Sequence, residues 1–359
     1  MESLGNILDF EDEEYLNKFL ISNKIISSAY APWVDNPFNN DQKYIRDLFN
    51  FEYIFIQHGI IKDDLSRYLN RVTKNYNLII TSSQKELQSF LNYKYHYNLN
   101  NIKLTGLPRF DNLKRLQQSF NKENIILIVP TWRMYIKGTF NSYSYESIYS
   151  FNFNLTNFFK FFNNLINNEY LLYNMKKYNY SGIFCLHPYF SKQWVDFKQN
   201  ILFSILPFCD YQTLLAKSSL LVTDYSSIFF DFAYLKKPII YIHFDYKEYR
   251  NNQYPEGYFN YKIHGFGPIC YETNCTINKI ISMISKNCLI EKEYLRRIYK
   301  FFKYNDEKNC DRIFLTLINE TNYFNNKNYC KYIFSNSVIL ILIIFAFIKI
   351  KLYNKTCIY

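Results

Sequence analysis

The sequence predicts an α/β protein built from two parallel sheets in tandem, two Rossmann-like domains facing a cleft. Three observations carry this. Short β-rich apolar runs alternate with helical patterns through the first third of the chain. After a polar stretch the alternation restarts with continuous apolar runs, of the kind that fill parallel strands buried on both faces. Each run ends in polar residues, the place where open α/β sheets bind ligands.

The first strands are expected in KIISSAY (24–30), YIFIQHG (53–59), LIITSS (78–83) and IKLTGLP (102–108). SQKELQSFLN (83–92) reads as a helix capped by Ser82 or Ser83, with Glu86 completing a capping box. The polar NLKRLQQSFNKEN (112–124) reads as a linking helix. The second set of strands is expected in NIILIVPTW (124–132), YSGIFCLHP (180–188), SLLVTDYSS (219–227) and KPIIYIHFD (237–245). The loop 142–150 follows the first of these, and one long Phe- and Asn-rich helix is expected from Phe151 to Met175, with its Phe and Leu residues facing a core. No solenoid repeat is visible. The domains divide as 1–118, an N-terminal acceptor-side domain that is short for its first βαβ units, and 119–325, a nucleotide-binding domain, followed by a hydrophobic segment at 330–353.

A chain of 359 residues, 48% of them apolar, can bury a sizeable core. Its 36 Tyr and 34 Phe come with abundant Asn, Lys and Ile, which reads as AT-rich coding, so aromatic stripes carry little functional weight. The net charge of +11 suits an anionic lipid surface or a phosphate-rich substrate. Nucleic acid is not expected, because neither zinc-finger spacing nor an RNP-like motif occurs. The eight cysteines form no CxxC pair, so neither zinc nor a dithiol redox motif is indicated, and reduced thiols in the cytosol are expected. The acidic, polar start, MESLGNILDFEDEEYL, does not read as a signal peptide, and none is expected.

Near the other end, Val338 to Ile348 are eleven consecutive apolar residues flanked by lysines on both sides. A spanning helix needs about 20 residues, with roughly 17 as the lower limit. The segment reaches that length only with Ser335, Asn336 and Ser337 at one interface and the lysines snorkelling. A membrane-associated segment is expected, the alternative being a core element.

The candidate chemistry stands at strand ends. In QHGIIKDD, His58 can take a proton from a hydroxyl near neutral pH, Gly59 permits close approach to a phosphate, and Lys62 supplies charge. In TGLPRFD, Arg109 could reach a phosphate bidentately or pair with Asp111. PTWR contributes Thr131 and Arg133, and LHP contributes His187. In TDYSSIFFD, Ser226 and Ser227 sit at a strand-to-helix turn that can hold a pyrophosphate, or Ser226 simply caps the helix. Asp231 lies one turn after Ser227 and would orient a ribose or a histidine, or partner a buried cation. His96, His243 and His264 are assigned no catalytic role.

Taken together, QHGIIKDDLS, TGLPRFDNL, PTWR, LHP and VTDYSSIFFDFAYLKKPIIYIHFDYKEY resemble the CDP-glycerol glycerophosphotransferases of teichoic-acid and capsule synthesis, in order and in spacing, over residues 24–320. ISSAYAPWVDNPF (26–38) resembles the acceptor-side region of that family, and GYFNYKIHGFGPI (257–269) its later Gly-Pro loop. The resemblance implies a GT-B fold and transfer of glycerol phosphate from CDP-glycerol to a hydroxyl of a growing, lipid-linked polyol-phosphate or glycan acceptor, with release of CMP at the cytoplasmic face of the membrane. It makes His58 the general base. His187, Arg109, Thr131, Ser226, Ser227 and Asp231 are then placed around the nucleotide pyrophosphate. Phosphoryl transfer chiefly needs positioning and charge neutralisation, which these residues can supply. No metal and no cofactor are implied. Cys185 stands where members often carry a basic residue, and Gln57 where an aromatic often precedes the His-Gly pair. Two other readings remain open: a transferase that uses CDP-ribitol or another nucleotide-activated donor, and a degenerate membrane-tethered nucleotide-binding protein.

Overall fold

The structure is a computed structural model. It describes residues 8, 12–29, 51–136, 138–139 and 147–318, together with the backbone of 319–327. Residues 30–38 of the expected acceptor-side stretch, 142–146 of the expected loop and the whole segment 330–353 lie outside the described residues. Among the described residues no helix is long and apolar enough to cross a membrane.

Two compact units divide the chain. The smaller comprises 1–25, 31–52 and 314–359. Its first helix, Glu13–Ile21, carries Glu13 and Glu14 in its opening turn, where the dipole favours acid. The helix ends at Ser22, whose backbone N–H and hydroxyl both donate to the Phe19 carbonyl. Phe19 packs edge-on against Phe51, and Lys24 pairs with Glu52.

The larger unit, 26–30 and 53–313, holds most of the protein. The strands of the protein form two sheets. The first has the order β1-β2-β3-β4, with β1 at Lys24–Ser27, β2 at Glu52–Phe55, β3 at Leu78–Thr81 and β4 at Ile102–Leu104. β2, β3 and β4 are parallel, with Ile54 opposite Leu78 and Ile79 opposite Ile102. The second sheet has the order β10-β9-β8-β5-β6-β7. Its strands are β5 at Ile125–Val129, β6 at Ser181–Cys185, β7 at Phe203–Leu206, β8 at Leu220–Thr223, β9 at Ile239–Ile242 and β10 at Ile269–Cys270, every neighbouring pair parallel. The chain runs β5, β6, β7 to one side, then returns past β5 to lay down β8, β9 and β10 on the other. The order therefore reverses between β5 and β8. In open parallel sheets the crevice outside the carboxyl ends at such a reversal is where ligands bind. This is the α/β, GT-B class of architecture.

The continuous apolar runs are explained by burial on both faces. All of β5, β8 and β9 is buried. One side of the second sheet packs Ile126, Ile128, Leu220, Val222, Ile240 and Ile242 under Phe158, Phe162, Leu165 and Ile166 of the helix Asn157–Ile166. Each fully buried Phe or Ile is worth about 1.5–3 kcal/mol.

Three expectations are corrected here. The long helix from 151 to 175 is broken into a 3-10 turn at Phe153–Leu155 and two helices, Asn157–Ile166 and Glu169–Lys177. Thr156 and Asn168 each cap a new helix start, accepting from Phe159 and Leu171 N–H, and such caps compete with helix continuation. The linking helix lies at Arg109–Ser119 and stops before Asn121. The eight thiols are not all free: Cys185 and Cys209 form a disulfide. β6 and β7 run side by side with Cys185 opposite Leu206, so Cys209 emerges beside Cys185 at a sequence separation of 24. That separation matches no framework spacing and could not be read from the sequence.

Candidate active site

β2 ends at Phe55, and the chain turns through Gln57, which holds a left-handed φ of 59° and is anchored by its side-chain amide donating to the Ile80 carbonyl. His58 follows. Its Nδ1 lies 3.2 Å from the Ser28 carbonyl. A carbonyl can only accept, so Nδ1 carries the proton and the lone pair is on Nε2, the state required of a base. The ring meets solvent, yet the surrounding atoms crowd it. Burial lowers its pKa below the ordinary histidine value and the nearby Arg109 charge adds to this, while the Ser28 carbonyl opposes both.

Arg109 opens the helix after β4. One guanidinium nitrogen donates to the His58 carbonyl and another to the Asp231 carboxylate. Gly106, at φ +83°, makes the turn that delivers it, and a Cβ there would fall on the Asn309 side chain. The expected Arg109–Asp111 pair gives way to this arrangement, because Asp111 is occupied by the N–H groups of Asn309 and Cys310 and the Asn309 amide. Asp231, buried in the helix Ile228–Tyr234, has its pKa raised by burial and pulled back by Arg109. It therefore takes the role of partner to a cation.

Gly59 approaches the second sheet closely: a Cβ on it would stand 2.9 Å from Ser227 Oγ and 3.5 Å from Arg109 Nη2. Residues following β2, β4 and β8 thus converge. Ser226 Oγ accepts from the Ile228 N–H at 3.3 Å, while Ser227 makes no capping bond with its side chain.

The loops at the reversal between β5 and β8 are tied together. Asp224 Oδ1 accepts from the Thr131 N–H at 2.8 Å and Oδ2 from Arg133 at 2.7 Å. The Thr131 hydroxyl is buried with no hydrogen-bond partner among the described residues. Arg133 is only 1% exposed. It also binds Asp245 at 2.7 Å and the Thr131 carbonyl at 2.6 Å, and lies over the rings of Tyr225 and Tyr249. Burial works against its charge, but Asp224 and Asp245 hold it firmly protonated. The structure places Arg133, expected among the substrate contacts, with its fork filled by two carboxylates. Lys62 is enclosed likewise. It is 4% exposed, pairs with Asp63 and sits near the Tyr261 ring, and burial lowers its pKa against the pull of Asp63.

His187 follows β6 and caps the 3-10 segment Pro188–Asp196, its Nδ1 accepting from the Tyr189 N–H at 3.2 Å. The proton then sits on Nε2. Burial pushes the pKa down to about 4, so at neutral pH the ring is an uncharged donor. Trp132 and Tyr189 pack around it. The remaining histidines serve elsewhere. His243 is buried between aromatic rings, its pKa driven down to about 3 by burial, and His264 accepts from the Asn260 N–H.

Sequence reasoning missed Asp224 and Asp245, and read Glu86 only as part of a capping box. Asp224 sits inside the TDYSS motif and Asp245 ends an apolar run as Thr223 does, so the signal was present. What could not be read is that Arg133 bridges them.

The profile of the family described as CDP-glycerol:poly(glycerophosphate) glycerophosphotransferase matches residues 7–319. The chain belongs to this family. Among curated proteins it is 36% identical over 322 residues to the minor teichoic acid biosynthesis protein GgaB of Bacillus subtilis, an alignment spanning 89% of this chain and 35% of that protein. It is 25% identical to a teichoic acid poly(ribitol-phosphate) polymerase of Bacillus spizizenii over 67% of this chain and 37% of that one. The chain thus spans about a third of the length of these relatives. Among solved structures, that of the wall teichoic acid polymerase TagF aligns with a TM-score of 0.59 at 18% identity, covering 89% of this chain and 77% of that one. A structure described as a UDP-N-acetylglucosamine 2-epimerase from Listeria monocytogenes aligns at 0.54 and 11% identity over 88% and 83% of the two chains. At these identities the likeness is one of fold.

Proposed function

We propose that this protein transfers glycerol phosphate from CDP-glycerol to a hydroxyl of an acceptor polymer and releases CMP. The observation that supports this most is the convergence of His58, Gly59 and Arg109 with Ser227 and Asp231, in a chain whose family membership covers residues 7–319. In this reading the acceptor hydroxyl gives its proton to His58 Nε2, and its oxygen attacks the phosphorus that bears the glycerol. The bond from that phosphorus to the bridging oxygen breaks, and CMP leaves with the electron pair. Neutral His187 donates through Nε2 to the diphosphate, the Thr131 hydroxyl gains the partner it lacks, and Ser226 and Ser227 complete the seat. Arg109 neutralises charge while holding the His58 loop. Arg133 and Lys62 act from behind, by fixing the loops. Positioning and charge neutralisation are what phosphoryl transfer asks of a protein.

Purified protein incubated with CDP-glycerol and a polyol-phosphate primer is expected to release CMP, and His58→Ala to lower release by about 10²–10⁴-fold while leaving donor binding measurable. Binding without turnover in the parent protein would instead favour a nucleotide-binding scaffold. A second donor is supported by the relative named as a poly(ribitol-phosphate) polymerase. Release of CMP from CDP-ribitol but not from CDP-glycerol would select it. The lysine-flanked apolar run at 338–348 supports placement at the cytoplasmic face of a membrane carrying a lipid-linked acceptor. Deleting residues 330–359 is expected to move the protein from the membrane fraction to the soluble one.

A further inference from the structure

We infer that Glu86 is a positioning residue for the transfer, holding the His58–Ile61 turn in its working geometry through the Ile61 backbone N–H. The inference rests on the reading of His58 as the base. Glu86 lies in the first turn of the helix Gln84–Phe90 and is 0% exposed. Its position three residues after Ser83 predicts a capping box, in which its carboxylate would return to the Ser83 N–H. Only half of that device forms. Ser83 Oγ accepts from the Glu86 N–H at 3.1 Å, but the carboxylate goes elsewhere. Oε2 accepts from the Ser82 N–H at 2.7 Å and Oε1 from the Ile61 N–H at 2.9 Å. One buried carboxylate therefore clamps the end of β3 to the loop that carries His58, three residues from the imidazole.

Simple burial does not account for this. A fully buried carboxylate is costly, and an apolar residue would fill the same volume more cheaply. Burial raises its pKa to about 7 despite the two backbone donors and a bond from Gln57. The loop itself is unusual: Gln57 occupies left-handed backbone space and is 2% exposed. Its far side is braced separately, by Asp63 pairing with Arg250 at 2.7 Å, by the Asp64 N–H donating to the Pro255 carbonyl at 3.2 Å, and by Gly257, where a Cβ would come within 2.4 Å of the Lys62 carbonyl. At the His58 end Glu86 acts beside Arg109 on the His58 carbonyl and the Gln57 amide on the Ile80 carbonyl. Glu86→Gln keeps one acceptor oxygen but turns an NH2 toward the other amide, so one of the two clamps must open.

The test compares Glu86→Gln with Ser83→Ala, which removes a cap from the same helix and leaves the clamp. Kinetics use CMP release from CDP-glycerol, and hydrogen exchange reports the loop without any donor. Glu86→Gln is expected to lower kcat about tenfold with KM for CDP-glycerol within twofold, and to speed exchange at the Ile61 amide. Ser83→Ala is expected to cost comparable stability with kcat unchanged. Equal losses of kcat in the two variants would reduce Glu86 to a structural residue and overturn the inference. If Glu86→Gln does not fold, the parent decides: slow exchange of the Ile61 amide supports the clamp, and exchange at the rate of a free amide ends it. A parent inactive on every nucleotide donor, with Ile61 protected in it and released in Glu86→Gln, would fault the proposed reaction and leave the clamp standing.

Discussion

Arg109 and Asp231 form an ion pair that joins the helix after β4 of the first sheet to a buried helix between β8 and β9 of the second, and the same guanidinium holds the His58 carbonyl. One side chain thus sets the distance between the proposed base and the serine turn. Hydrogen bonds to charged groups are worth about 1.5–3 kcal/mol, and lysine cannot reproduce a fork that serves two acceptors. Arg109→Lys is expected to lower kcat/KM by about 10–100-fold in CMP release. Retention of full activity would mean that charge alone suffices.

His58 has a pKa below the ordinary histidine value, and its neutral form is the active one. Activity should therefore hold through neutral pH and fall as pH drops through a midpoint below about 6.5. That limb should be absent in His58→Ala, whose residual rate is expected to be lower by about 10²–10⁴-fold. An acid limb unchanged in the variant would assign the titration to another group.

Gly59 faces Ser227 across a gap that takes a methyl group only if something shifts. Gly59→Ala should turn Ser227 away or push the His58 loop back, with little change in folding stability, because no left-handed φ is required there. The expected outcome is a KM for CDP-glycerol raised about tenfold with a melting midpoint within a few degrees, a split that kinetics and a thermal melt resolve together.

Arg133 sits between Asp224 and Asp245 with no access to solvent. Arg133→Met would leave two carboxylates buried without their counter-charge. Breaking such a pair by removing one partner costs about 3–5 kcal/mol. A urea denaturation curve should show that loss. A smaller effect would mean that water enters the site and solvates the carboxylates.

The fold was legible where burial was total. β5, β8 and β9 read as unbroken apolar runs because both their faces are covered. β7 and β10 were missed for the opposite reason: each is an edge strand, β7 alternates buried and exposed residues, and β10 is only two residues long. At the site, the motifs showed which strand ends carry polar residues, but not which polar residues satisfy one another. Arg133 and Lys62 look free in the sequence, and Asp231 reads as the partner of a cation that the sequence does not name. Arg133 with Asp224 and Asp245, and Asp231 with Arg109, are fixed by long-range pairing that spacing does not encode, while Lys62 pairs with its own neighbour Asp63 and only the burial of that pair is hidden from the sequence.

The disulfide between Cys185 and Cys209 offers a last test, because it lies beside the proposed donor site. Cys185 ends β6 two residues before His187, and Cys209 precedes Asp210, whose carboxylate caps the helix Tyr211–Lys217. The bond closes a loop across a sequence separation of 24, and for a loop of that size the entropy removed from the unfolded chain corresponds to about 3 kcal/mol. Reductant should therefore lower the urea midpoint, and the double variant Cys185→Ser/Cys209→Ser should behave like the reduced parent. Both should also bind CDP-glycerol more weakly, since the strand end carrying His187 loses its tether to the neighbouring loop. Identical unfolding curves with and without reductant, together with two alkylated thiols at 185 and 209 in the untreated protein, would show that the bond does not form in solution. His187 would then rely on Trp132, Tyr189 and the Tyr189 N–H to hold it in place.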